Sequence, residues 1–206
     1  MENQSTHRGD IYNQRRTDGF TLVELLVVIA IIGTLAALFS PNILSALRKG
    51  DEVTCTNNLK NIGQACMAYA FEKRFFPYAG GTKPPAYMSL NKLIESNAGK
   101  DLTPEVFICP SSLDEKAETD SEGKFTMGET NNSYAYLGKK TKQTAPGRTP
   151  VCCDDSIANE DEEITENHDG FLMMFRIDGS VTKVDSADIT EGQDLPGNCV
   201  GQEGGQ

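Results

Sequence analysis

Residues 20–39 read FTLVELLVVIAIIGTLAALF, an apolar run of 20 residues with one charge, Glu24. A helix of that length is about 30 Å long, the thickness of a bilayer's hydrocarbon core. The run therefore predicts a single membrane-spanning helix. Arg15 and Arg16 stand just before it, and the bias of basic residues toward the cytoplasm places the rest of the chain on the outer face of the membrane. A secretory signal would have an apolar region of roughly 7–15 residues and then a small-x-small cleavage site. This run is longer and continues into Ser40-Pro41-Asn42-Ile43. No second segment is apolar enough to span, so a polytopic membrane protein is excluded. The chain has 206 residues, enough for one domain with a real core. Its formal charge of −11 repels phosphate backbones and argues against a nucleic-acid partner.

Glu24 is out of place in a plain anchor. A carboxylate in an apolar segment is costly unless it finds a partner. Cleavage between Gly19 and Phe20 would create one. The new α-amino group of Phe20 would carry a positive charge four residues, or one helical turn, from Glu24. In an assembly, the amine of one subunit could equally meet Glu24 of its neighbour. The segment GFTLVELLVVIAIIG, 19–33, resembles the N-terminus of type IV pilins and type II secretion pseudopilins. The resemblance covers roughly residues 15–70. It implies cleavage after Gly19 by a prepilin peptidase, N-methylation of Phe20, Glu24 as the charge partner in assembly, and Pro41 as the helix-kinking proline. The leader, 1–19, is long, and Asp10 and Asp18 dilute its positive charge.

Past Pro41 the helical period continues. Cys55, Leu59, Ile62, Cys66 and Tyr69 follow steps of 4, 3, 4 and 3, one face of an amphipathic helix. Pro77 disfavours helix at Phe76, so the end is expected at 73–77. Pro41 removes a hydrogen bond and predicts a kink, and Gly33 is a second weak point. One helix over 20–76 is thus expected, spanning over 20–39 and amphipathic over 40–76. The six cysteines form no CxxC pair, so zinc-ribbon and thioredoxin-type patterns are absent. An even count outside the cytoplasm suggests disulfides. Cys55 and Cys66 would lie about 16 Å apart along the helix and cannot join each other. Each faces the head, where it either bonds a head cysteine or stays a buried free thiol packed as a small apolar group.

The head, 77–185, is expected to be a small antiparallel sheet packed on the helix, an α+β architecture of pilin-like type. A short helix is expected over 87–96, an exposed polar loop over 115–132, and strands over 133–137 and 149–153. Two strand-like runs, 171–177 and 180–184, flank Asp178-Gly179, the strongest short hairpin signal when both central residues can take positive φ. The adjacent Cys152 and Cys153 would face opposite sides of a strand, one buried and one exposed. Residues 186–206 are expected to be an irregular Gly-rich tail.

His168, then nine residues, then Asp178-Gly179 resembles the C-terminal motif of a pilin-related family, together with Phe107-Ile108-Cys109-Pro110-Ser111 and Ser133-Tyr134-Ala135-Tyr136. This second resemblance implies pilin-like architecture without assigning one machine. Pseudopilins resembling the major subunit bind calcium in a head loop, and Asp154, Asp155, Asp161 and Glu163 are the candidate oxygen ligands here. Their spacing reproduces no dedicated calcium loop, and a solvated acidic loop is the simpler expectation. A hydrolase would pair His168 with Asp169 or Asp178, but no nucleophile motif such as G-x-S-x-G is present. The expected function is therefore structural and not enzymatic: a filament subunit. Its expected partners are the prepilin peptidase, an inner-membrane assembly platform, the membrane, and copies of itself or other pilin-like subunits. The rival is a membrane-anchored periplasmic binding module for calcium or a carbohydrate that does not polymerise. A third reading is an anchored enzyme using His168.

Overall fold

The computed structural model describes residues 20–137, 139–154, 156–158, 164–166, 168, 170–185 and 199–200. The chain divides into two units at Leu44/Ser45, and one helix, α1 (Leu22–Lys73), contributes to both. The first unit carries the apolar start of α1. Its side chains are bare: Leu22 is 78% exposed and Ile29 61%. No single helix among the described residues is long and apolar enough to cross a membrane. Leu22–Leu38 and Ile43–Lys73 meet that requirement only together. The side chains of 39–42 lie outside the described residues, and so does the kink expected at Pro41.

The second unit is a helix-on-sheet head. Its sheet has five antiparallel strands in the order β6-β5-β2-β1-β7. These are β1 (Tyr134–Leu137), β2 (Pro150–Asp154), β5 (Phe171–Arg176), β6 (Val181–Asp185) and β7 (Cys199–Val200). A separate pair joins β3 (Ser156–Ala158) to β4 (Ile164–Glu166). A second helix, α2 (Ala86–Ile94), precedes two short 3-10 turns, Asn97–Gly99 and Pro104–Phe107. This is the α+β, pilin-like arrangement expected.

The face of α1 that packs on the sheet is Cys55, Leu59, Ile62, Cys66 and Ala70, all fully buried. The period is the expected one until its last step, where Ala70 takes the deep position and Tyr69 is only half-buried. Tyr134, Tyr136, Cys152 and Phe175 meet this face from the sheet, and Phe107, Leu90 and Leu93 close its side. Burying a Leu or Phe of this kind contributes ~1.5–3 kcal/mol, so this contact dominates the head's stability. The helix stops at Lys73 because Arg74 takes φ +68, a left-handed conformation that ends helices. The Arg74 carbonyl then accepts from the Gln143 N–H at 3.1 Å.

Four expectations are corrected here. Cys152 and Cys153 are both fully buried, because both sheet faces are covered. Cys152 lies in the helix-side core, while Cys153 joins Ala135, Met174 and Cys199 in a smaller cluster. The segment 115–132 is a loop, but Ala117, Phe125 and Met127 turn into the core. Asn91 of α2 pins it by exchanging two hydrogen bonds with the backbone of Met127. All six cysteines are buried thiols, with no disulfide among the described residues. Within the expected tail, Cys199 and Val200 form an edge strand, paired Tyr136↔Val200 and Leu137↔Cys199 with β1.

Candidate functional site

At the start of α1, Thr21 and Glu24 form a reciprocal capping box. The Thr21 N–H and hydroxyl donate to Glu24 Oε2 at 2.8 and 2.7 Å, and the Glu24 N–H donates to Thr21 Oγ1 at 3.3 Å. This satisfies two backbone donors that a helix start leaves unpaired. Phe20 is 76% exposed beside it. The sequence reading singled out Glu24 for charge and missed Thr21, although T-x-x-E before an apolar run is a capping signature. Gly19 lies outside the described residues.

The head brings four reactive side chains to one buried point. Cys55 comes from α1, Cys109 from the turn after Pro104–Phe107, Asp154 from the end of β2, and His168 from the approach to β5. One donor atom from each lies within 4.8 Å of all the others. The Cys55 thiol donates to Asp154 Oδ1 at 2.7 Å. His168 Nε2 is 3.7 Å from Cys109 Sγ and 3.6 Å from Asp154 Oδ2. The Met173 N–H donates to Asp154 Oδ2 at 2.9 Å, and the Tyr134 hydroxyl donates to Cys55 Sγ at 3.4 Å. Phe171 stacks on the His168 ring, with centroids 5.4 Å apart and planes within 4°.

This proximity sets the charges. Burial pushes the Asp154 carboxyl up to about 6. The approach of the two sulfurs to one another pushes Cys55 far up and holds Cys109 well below the usual thiol range. Burial works against a charge on His168, but Cys109 and Asp154 raise its pKa above the ordinary value. A cleft of about 350 Å³, lined by Ser45, Arg48, Lys49, Glu52, Ser111 and Phe171, opens onto His168.

Asp154 is therefore not part of a solvated acidic loop. Its carboxylate is fully buried among two thiols and an imidazole, a donor set that does not suit calcium. Asp155, Asp161 and Glu163 lie outside the described residues, as does Asp169. The structure also separates the two halves of the C-terminal motif. All of β5 lies between His168 and Asp178, which is about 20 Å of strand. His168 belongs to the cluster, while Asp178 and Gly179 make the hairpin turn. There the Gly179 N–H donates to the Arg176 carbonyl at 2.9 Å, and Gly179 takes φ +84. Asp178 does not take positive φ, so this is a three-residue loop with a glycine bulge and not the tighter two-residue turn expected. Cys55 and Cys109 went unrecognised as site residues because they are 54 residues apart with no local spacing pattern.

The fold is a long helix on an antiparallel sheet, and a prepilin-type methylation motif stands at the start of that helix. Residues 14–40 match the model of the prokaryotic N-terminal methylation motif. The chain is similar to the type II secretion system core protein G of Aeromonas hydrophila, 34% identical over 64 residues, 31% of this chain and 45% of that protein. It is also similar to the type IV wide pilus major component PilA4 of Thermus thermophilus, 47% identical over 47 residues, 23% of this chain and 36% of that protein. With the type IV major pilin protein PilA of Myxococcus xanthus it shares 39% identity over 61 residues, 30% of this chain and 25% of that protein. The chain spans less than half the length of each of these relatives. No solved structure matches it.

Proposed function

We propose that this chain is a structural subunit of a type IV pilus-like filament or a type II secretion pseudopilus, serving secretion or surface attachment. A prepilin peptidase cuts after Gly19 and Phe20 is N-methylated. An inner-membrane platform then extracts the subunit, and the apolar helices of neighbouring copies pack in the filament core. The observation that carries this reading is the methylation motif at 14–40, which takes in the start of a helix whose apolar side chains are exposed. Such a surface needs lipid or other helices to cover it. The reading is of assembly, with no catalytic step.

The capping box favours a second reading, because it gives Glu24 a use in an isolated anchor that never polymerises. The two readings part at Glu24→Gln, which keeps a capping side chain and removes the charge. In a filament subunit, Glu24→Gln blocks assembly while membrane insertion stays normal. In an anchor it changes neither. The processing step is tested by the mass of the N-terminal peptide of protein from its native host. A peptide beginning at N-methylated Phe20 supports the filament reading, and an intact Met1 leader removes it.

A further inference from the structure

We propose that Cys55, Cys109, Asp154 and His168 bind one zinc ion, which clasps α1 to the sheet of the head. Zinc takes four ligands in a tetrahedron, with bonds of about 2.3 Å to sulfur and about 2.0–2.2 Å to nitrogen or oxygen. Those lengths put neighbouring donor atoms about 3.3–3.8 Å apart. The observed edges from His168 Nε2, 3.7 Å to Cys109 Sγ and 3.6 Å to Asp154 Oδ2, fall in that range. The 2.7 Å edge between Cys55 Sγ and Asp154 Oδ1 is tighter. A turn of the carboxylate relaxes it, since both Asp154 oxygens face the cluster.

Side chains that merely fill a core have no reason to aim four donor atoms at one point. The four come from four separate segments, 54, 45 and 14 residues apart in sequence. The donor types also select the ion. Two thiolates and an imidazole favour zinc over calcium or magnesium. All four groups are buried, which is the closed form of a structural centre and leaves no ligand position for a substrate.

The surroundings support the ligands as the surroundings of metal centres do. The Tyr134 hydroxyl donates to the Cys55 sulfur at 3.4 Å. The Met173 N–H fixes Asp154, and the stacked Phe171 ring orients His168. A fully buried carboxylate requires a positive charge nearby. Asp154 meets the His168 imidazole at 3.6 Å, and a bound ion would place a full positive charge between them. The cleft that opens onto His168 supplies a route for the ion. On binding, whatever protons the two sulfurs, the carboxyl and the imidazole still hold pass to solvent, and nothing is oxidised or reduced. The site then holds Zn²⁺, two thiolates, a carboxylate and a neutral imidazole, with a net charge of −1.

This assignment is independent of the filament reading, because a chain that never polymerises would bind the ion equally well. The test uses the full chain in detergent, stripped with a chelator and reloaded with zinc or cobalt(II) alone. We expect one zinc per chain after gel filtration. We also expect the cobalt form to show the intense visible absorption of a tetrahedral centre and a thiolate charge-transfer band in the near ultraviolet. Cys109→Ser and His168→Ala should each weaken zinc binding at least tenfold, and Cys66→Ser should leave it unchanged. The wild-type cobalt spectrum decides the matter even where a variant fails to fold. Four results would overturn the proposal: no retained zinc, calcium retained in its place, full binding by a folded Cys109→Ser chain, or a Cys55–Cys109 disulfide in alkylated, unreduced protein.

Discussion

At Gly63 an added Cβ would lie 2.2 Å from Cδ1 of Phe175, a ring that is itself fully buried. Alanine would ordinarily gain ~1 kcal/mol over glycine inside a helix. Here that gain is outweighed, because neither α1 nor the β5 ring can give way. Gly63→Ala is expected to destabilise the head by ~1–3 kcal/mol, read as a lower denaturant midpoint with an unchanged slope. At the start of the same helix, Thr21→Val removes the hydroxyl that both gives to and accepts from Glu24. It should cost ~1 kcal/mol of local helix stability. Faster amide exchange at 22–25, with no change in the head's unfolding midpoint, is the measurement that checks it. These two positions differ in how they read. T-x-x-E is visible in the sequence as a cap, whereas nothing in the sequence announces that Gly63 faces an aromatic ring.

The β5–β6 hairpin shows what a short element owes to its turn. Asp178 Oδ1 accepts from the Ser180 hydroxyl at 2.6 Å and the Ser180 N–H at 3.0 Å, and these bonds lower the Asp178 pKa. A carboxyl depressed in the folded state stabilises fully above its unfolded pKa of about 3.9. That contribution disappears as pH falls through the lower, folded value. The melting temperature of Asp178→Ala should therefore sit below wild type at neutral pH and converge with it in strong acid. Gly179 at φ +84 makes a separate demand, and Gly179→Ala should cost ~1 kcal/mol by thermal unfolding. The nine-residue spacing of the C-terminal motif has a physical meaning on this scale. It is the length of β5 with its two ends, which keeps the turn at one end and His168 at the other. The hairpin was legible because Asp-Gly lies between two apolar runs. The turn type was not, since Asp178 tolerates several conformations and the strand register chooses among them.

Away from the four-residue cluster, burial governs the thiols of the head. Cys66 is fully buried and its pKa is pushed up to about 12 by desolvation. Cys152 is raised well above its ordinary value for the same reason. Both should resist alkylation in the folded protein and react only as fast as the head unfolds, so their labelling rates should rise together with denaturant. Mass spectrometry of timed samples checks this, and rapid native labelling of either would contradict the packing. The sequence by itself determined the features that depend on near neighbours. Among them are the apolar run with Glu24 at its start, the period that puts Cys55, Leu59, Ile62 and Cys66 on one face, the short helix at α2 and the Asp178-Gly179 hairpin. Each is a pattern of spacing over a few residues, and backbone geometry converts such patterns directly into structure. Only the tertiary structure decided that both sheet faces are covered, that Asp154 is buried, and that Cys55 and Cys109 meet Asp154 and His168 instead of joining in disulfides. Those outcomes depend on how far α1 slides along the sheet and on which residue of β2 lies beneath Cys55. No local pattern encodes that register, because it is set by packing among residues far apart in the chain.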